Sequence, residues 1–154
     1  MCHVDLNDIA FYGDANTSRR QAFLSALEQH YSVLRISEVF GEALYAQLAR
    51  ARVIVNIHYY EGALLETTRL YECLSLGHSI VSESSVDIHE HALLKPYITF
   101  TPIGDIDAMV AAVGERLKQT HTPPELPDDI AHFHFYFARL LVANNLLDAQ
   151  ALDA

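Results

Sequence analysis

Hydrophobic residues occur along this chain in short bursts separated by turn residues, and the spacing within each burst predicts its element. Residues 9–12 (IAFY) form an apolar, β-prone run that stops at Gly13, and the DANTSRR stretch after it is rich in turn and helix-capping residues. Ser18 stands three before Gln21, the spacing of a capping box, and Phe23, Leu24 and Leu27 give the following helix an apolar side to about His30. Residues 32–40 (SVLRISEVF) predict a second strand, and 41–51 (GEALYAQLARA) a second helix with Leu44 and Leu48 one turn apart. Residues 52–60 (RVIVNIHYY) predict a third strand whose Val53, Ile54 and Val55 are apolar without alternation, as expected where helices cover both faces of a parallel sheet.

The second half repeats the alternation. A helix is predicted over 64–76, closed by Gly77, the residue type that best accepts the left-handed conformation past a helix end. A fourth strand follows at 79–83 (SIVSE), a helix start at Asp87 and Glu90 leading into HALLKPY, and a fifth strand at 98–102 (ITFTP) ended by Pro102. Ile106, Met109, Val110, Val113 and Leu117 share one face of a helix predicted over 105–118.

This βα alternation predicts an α/β fold: a Rossmann-like, doubly wound parallel sheet of five or six strands with helices on both faces, ending in an apolar helix. The implied organisation is a tail or linker remnant over 1–8, a Rossmann-like domain over 9–121, a proline-rich connector over 122–129 and a C-terminal helix over 130–148. That last segment (IAHFHFYFARLLVANNLL) is apolar nearly all round. It therefore calls for burial on its own domain or against a second copy, so homo-oligomerisation is expected.

Charge narrows the partners. Twenty acids against ten bases give a formal net charge of −10, which disfavours nucleic acid and anionic membrane surfaces. No apolar run approaches the roughly 18 residues of a membrane span. Two cysteines without CxxC spacing, and a start lacking signal-peptide character, point to the cytoplasm. Nine histidines raise the question of a metal, but His89 and His91, like His132 and His134, are spaced by two and diverge on a helix, so no metal site is predicted. Cys73 reads as a small buried residue, and Ser82 to Ser85 lack a GxSxG elbow.

In a parallel sheet every strand-to-helix loop lies at the carboxyl edge, where ligands of such folds bind. Gly13 and Asn16 lie in the first of these loops, and Arg19 or Arg20 can neutralise phosphate at the following helix start. In the loop after the third strand, the backbone of Glu61, Gly62, Leu65 and Glu66 is expected to meet a diphosphate, with His58 just before it. Glu66, Arg69 and Glu72 follow at i, i+3 intervals along one helix, a spacing that also suits a surface ion-pair ladder.

Glu72-Cys-Leu-Ser-Leu-Gly77 followed by HSIVSE resembles the E-A-hydrophobic-A-C-G-x-P-V-V end of the donor-binding motif of GT-B glycosyltransferases, of the "glycosyl transferases group 1" type. FYGDANTSRR, VIVNIHYYEG and FYFARLLVANN extend the resemblance over most of residues 8–147. The resemblance implies a nucleoside-diphosphate-sugar donor as substrate, no cofactor and no metal. It maps the ribose-contacting glutamate onto Glu72, while the earlier glutamate of the family's pair falls on Leu64, between Glu61 and Glu66. The family's basic residue after the first strand corresponds to Arg19 or Arg20. Only the C-terminal, donor-binding half of such an enzyme is resembled, which implies donor binding without sugar transfer. Two other readings stand beside it: a non-catalytic α/β module for regulation or protein contact, and a flavodoxin-like or receiver domain. The latter is disfavoured by the lack of an acidic cluster after the first strand.

Overall fold

A computed structural model describes residues 6–133 and 143–144. Five strands, β1 (Asn7–Tyr12), β2 (Val33–Ile36), β3 (Ala51–Asn56), β4 (Ile80–Glu83) and β5 (Ile98–Thr101), pair in parallel in the order β2-β1-β3-β4-β5. This is the order of flavodoxin-like sheets, and equally that of a Rossmann sheet without its edge strand 3. The winding direction reverses between β1 and β3, which makes their carboxyl ends the switch point of the sheet.

Helices α1 (Ser18–Glu28), α2 (Gly41–Leu48), α3 (Thr67–Ser75) and α4 (Ile106–Lys118) cover the sheet on both faces. Phe23, Leu24 and Leu27 of α1 join Met109 and Val113 of α4 over Ile9, Phe11, Val53, Val55 and Val81. On the opposite face, Leu44 and Leu48 of α2 and Leu70, Cys73 and Leu74 of α3 cover Ala10, Ile36, Ile54, Ile80 and Ile98. Ile54 thus packs to one side and Val53 and Val55 to the other, so β3 is apolar at every central position, as its sequence predicts.

Gly77 closes α3 as expected: at φ +81° its N–H donates to the Leu74 carbonyl, and the His78 N–H donates to that of Cys73, which is a Schellman motif. Other boundaries differ from the pattern. The cap of α1 is Thr17 rather than Ser18, because Thr17 has the extended conformation and its hydroxyl accepts the Arg20 N–H. Helix α3 begins at Thr67 rather than Leu64: Leu65 is pulled into the core and its N–H is taken by Asp87 Oδ1 at 3.0 Å, so residues 61–66 remain a loop. The segment before β5 forms a 3-10 helix (Ile88–Leu94), broken at His91 by non-helical backbone. Residues 120–127 have no regular structure, consistent with their prolines. A one-turn helix α5 (Asp128–Ala131) begins inside the expected connector and buries Ile130 against the α2/α3 face. Most of the apolar helix expected over 130–148 lies outside the described residues. Among the described residues no helix is long and apolar enough to cross a membrane.

Candidate functional site

A cleft of about 650 Å³ opens at the carboxyl edge, between the loops that follow β1 and β2. Its walls are Tyr12 to Asn16 on one side and Ile36 to Gly41 on the other, with Leu44 of α2 and with Arg69 and Glu72 of α3. Four expected site residues, Gly13, Asn16, Arg69 and Glu72, therefore meet in one cavity although they are separated in sequence by up to some 60 positions.

Glu72 projects from the second turn of α3 toward two phenols. Tyr12 donates to its Oε2 at 3.1 Å and Tyr45 to its Oε1 at 3.0 Å. Burial, with Cys73 and Glu72 nearby, pushes the Tyr12 phenol well above its ordinary range, so its hydroxyl stays a proton donor to the carboxylate. The carboxylate is thereby fixed in orientation.

Arg69 sits one turn earlier, its guanidinium 4.8 Å over the Tyr12 ring. Nη1 donates to Asn56 Oδ1 at 3.0 Å and pairs with Glu66 Oε2 at 2.6 Å. Asn56 is fully buried at the end of β3 and is itself oriented by its donation to Ser82 Oγ. Nη2 of Arg69 reaches the turn after β1: a Cβ at Gly13 would lie 2.9 Å from it. Gly13 is required there twice over, by that approach and by its φ of +126°.

Beside the cleft lies a dense ion network. Arg20 is only 3% exposed. It donates to the carbonyls of Ile57 and Asp14 and to Glu66 Oε1 at 3.2 Å, and lies between the rings of Phe11 and Tyr59. Burial works to raise the Glu66 pKa, but His58, Arg69 and Arg20 outweigh it and hold the carboxyl below its ordinary range. His58 Nδ1 stands 3.8 Å from Glu66 Oε1, too far for a hydrogen bond, and has no closer partner among the described residues, while Nε2 meets the Ser84 carbonyl.

Arg19 makes a bidentate pair with the fully buried Glu83, at 2.7 and 2.5 Å, and donates to the His58 carbonyl. Glu83 also accepts the N–H groups of His58 and Gly104. Both arginines expected at a phosphate are thus satisfied by protein acceptors. Glu61 and Gly62 stand exposed outside the cleft lining, and Leu65 is buried with its amide occupied.

The helix starts differ in a way that tracks the cleft. Helices α1 and α4 are capped by the side chains of Thr17 and Asp105, whereas α2 and α3, which contribute to the cleft, begin at Phe40 and Glu66 without a side-chain cap. Sequence reasoning missed the β2 loop entirely, including Glu38, which holds φ +56°, and Phe40, 82% exposed at the lip. Phe40 in the cap position of an otherwise regular helix was the available signal. Among the described residues no cluster of three or more His, Cys, Asp or Glu is placed to hold a metal ion; His91 instead pairs with Asp87 at 3.0 Å. A scan against protein-family models and a search of curated proteins each find no match to the chain.

Proposed function

We infer that the cleft receives the nucleoside of a nucleoside-diphosphate sugar, the chain serving as the donor-binding half of a glycosyltransferase and binding without transferring. The observation that carries this reading is Glu72, held by two tyrosines against a cavity whose volume lies within the roughly 300–1,000 Å³ of small-molecule sites. A carboxylate so fixed can accept both hydroxyls of a ribose diol. Phe40 and Val39 offer an apolar wall for a base, and the uncapped start of α2 offers N–H donors to phosphate oxygens. Because Arg19 and Arg20 are spent on Glu83, Glu66 and backbone carbonyls, the phosphate role expected of them passes to Arg69. The cytoplasm is the compartment proposed, and a homo-oligomer through residues 130–148 the assembly.

A second reading, a non-catalytic module for protein contact, draws on the same neutralised arginines. It also draws on the exposed Phe40, Tyr59, Tyr60, Leu64 and Val86. Thermal unfolding with a panel of nucleoside diphosphates and the matching nucleosides separates the two. A ligand at 100 times its Kd adds about 2.7 kcal/mol to the folded state. At least one nucleotide should raise the midpoint for the wild type and fail to do so for Glu72→Gln. No shift with any member, or an equal shift in the variant, rejects the nucleotide reading in favour of the module.

A further inference from the structure

Arg69 differs from the other two guanidinium groups at this edge. Every side-chain nitrogen of Arg20 donates to the protein, and both terminal nitrogens of Arg19 do. Arg69 uses Nη1 alone, donating to Asn56 and ion-pairing with Glu66, while Nη2 makes no hydrogen bond among the described residues and lies against Gly13 in the cleft wall. Its partner Glu66 sits where the exposed loop becomes α3, with a backbone (φ −76°, ψ 65°) outside the helical region, and is 26% exposed. Asn56 and the Tyr12 ring hold Arg69 without any contribution from Glu66.

We propose that Arg69 is the group that recognises the diphosphate and that Glu66 is its resident counter-anion, occupying the position that a phosphate oxygen takes on binding. The proposal rests on the nucleotide reading of the cleft and specifies which charge does the recognition. A guanidinium pre-oriented by a neutral amide and an aromatic face loses little order on meeting an oxyanion. What opposes a phosphate that engages both terminal nitrogens is the carboxylate already paired with Nη1 at 2.6 Å, which it displaces into the solvent that the Glu66 side chain already reaches. Arg20 and His58 border Glu66 on its buried side, so the carboxylate swings outward while they stay in place. Affinity is therefore set by competition between two anions for one cation, and phosphate charge, more than base identity, decides occupancy.

The test uses the full chain, uridine and guanosine diphosphates, and the two parent nucleosides, with Kd read by calorimetry. Removing the competing charge in Glu66→Gln should tighten diphosphate binding about tenfold and leave nucleoside binding within twofold, whereas Arg69→Gln should weaken diphosphate binding at least tenfold with the same indifference to nucleoside. Unchanged or weaker diphosphate binding by Glu66→Gln overturns the exchange, as does an Arg69→Gln loss shared equally by the nucleosides. A wild-type crystal structure with the bound diphosphate gives a check independent of any variant: the Glu66–Arg69 pair must be open, and a pair still closed at 2.6 Å refutes the proposal. Nucleoside binding without any gain from phosphates rejects this proposal alone, and no binding by any probe rejects the nucleotide reading with it.

Discussion

Replacing Glu83 by glutamine should destabilise the fold strongly although the change is isosteric. Each carboxylate oxygen accepts two donors: Oε2 takes Arg19 Nη1 and the His58 N–H, and Oε1 takes Arg19 Nη2 and the Gly104 N–H. A glutamine has one oxygen, so in either flip its NH2 confronts one arginine nitrogen and one backbone N–H, donor against donor. Two hydrogen bonds are lost, and the Arg19 cation, 18% exposed, loses its counter-charge. Breaking a buried pair from one side costs about 3–5 kcal/mol. With a urea dependence of about 2 kcal/mol per molar, the unfolding midpoint should fall by about 2 M at unchanged slope. Acid titration gives the same group a second signature. Burial tends to raise the Glu83 pKa, but Arg19 and the Gly104 and His58 amides lower it further, so the folded value lies below the unfolded value of about 4.3. A depressed carboxylate contributes stability that is full above the unfolded pKa and lost as pH falls through the folded one. The wild type should thus lose stability below about pH 4.3, and Glu83→Gln should lose less over the same range. A urea midpoint within about 0.3 M of wild type, or parallel acid profiles, would refute the reasoning.

Three further outcomes are expected. Gly13→Ala should cost about 1–3 kcal/mol in urea unfolding, because φ +126° is strained for alanine and the new methyl meets Arg69 Nη2; the same variant should bind nucleoside diphosphates more weakly. Gly114→Ala in α4 should change sign with its background: a Cβ there would lie 2.7 Å from the Tyr31 hydroxyl, which donates to the Val110 carbonyl, so the substitution destabilises the wild type. In Tyr31→Phe the nearest ring carbon stands at 3.8 Å and the helix-propensity gain of about 1 kcal/mol should emerge, with the same sign in both backgrounds as the contrary result. Burial pushes the Cys73 thiol up to about 12, so in a Cys2→Ser background it should resist a disulfide reagent at pH 8 until the chain unfolds; rapid labelling of the folded protein contradicts this.

The sheet and its covering helices were legible because apolar continuity in β3 and the i, i+3, i+4 spacing of α4 are local signals that packing reinforces. Strand order was not, since the parallel pairing of β1 with both β2 and β3 depends on crossovers that periodicity does not encode. The site was half legible for the same reason. Glu72 and Gly13 stand out by residue type and position, but only the adjacency of β1 and β2 brings Phe40 and Glu38 to face them. Arg19 and Arg20 illustrate the opposite failure. Adjacent cations at a helix start suggest phosphate, and nothing local to them announces that Glu83 and Glu66, distant in sequence, meet them first.

The clamp on Glu83 joins α1, the ends of β3 and β4 and the turn before α4, all along one side of the carboxyl edge. The turn over residues 37–40 on the other side donates or accepts no hydrogen bond with that clamp. Inheritance can therefore reshape this wall of the cleft by altering four neighbouring codons, while the fastening that keeps the domain folded is copied unchanged.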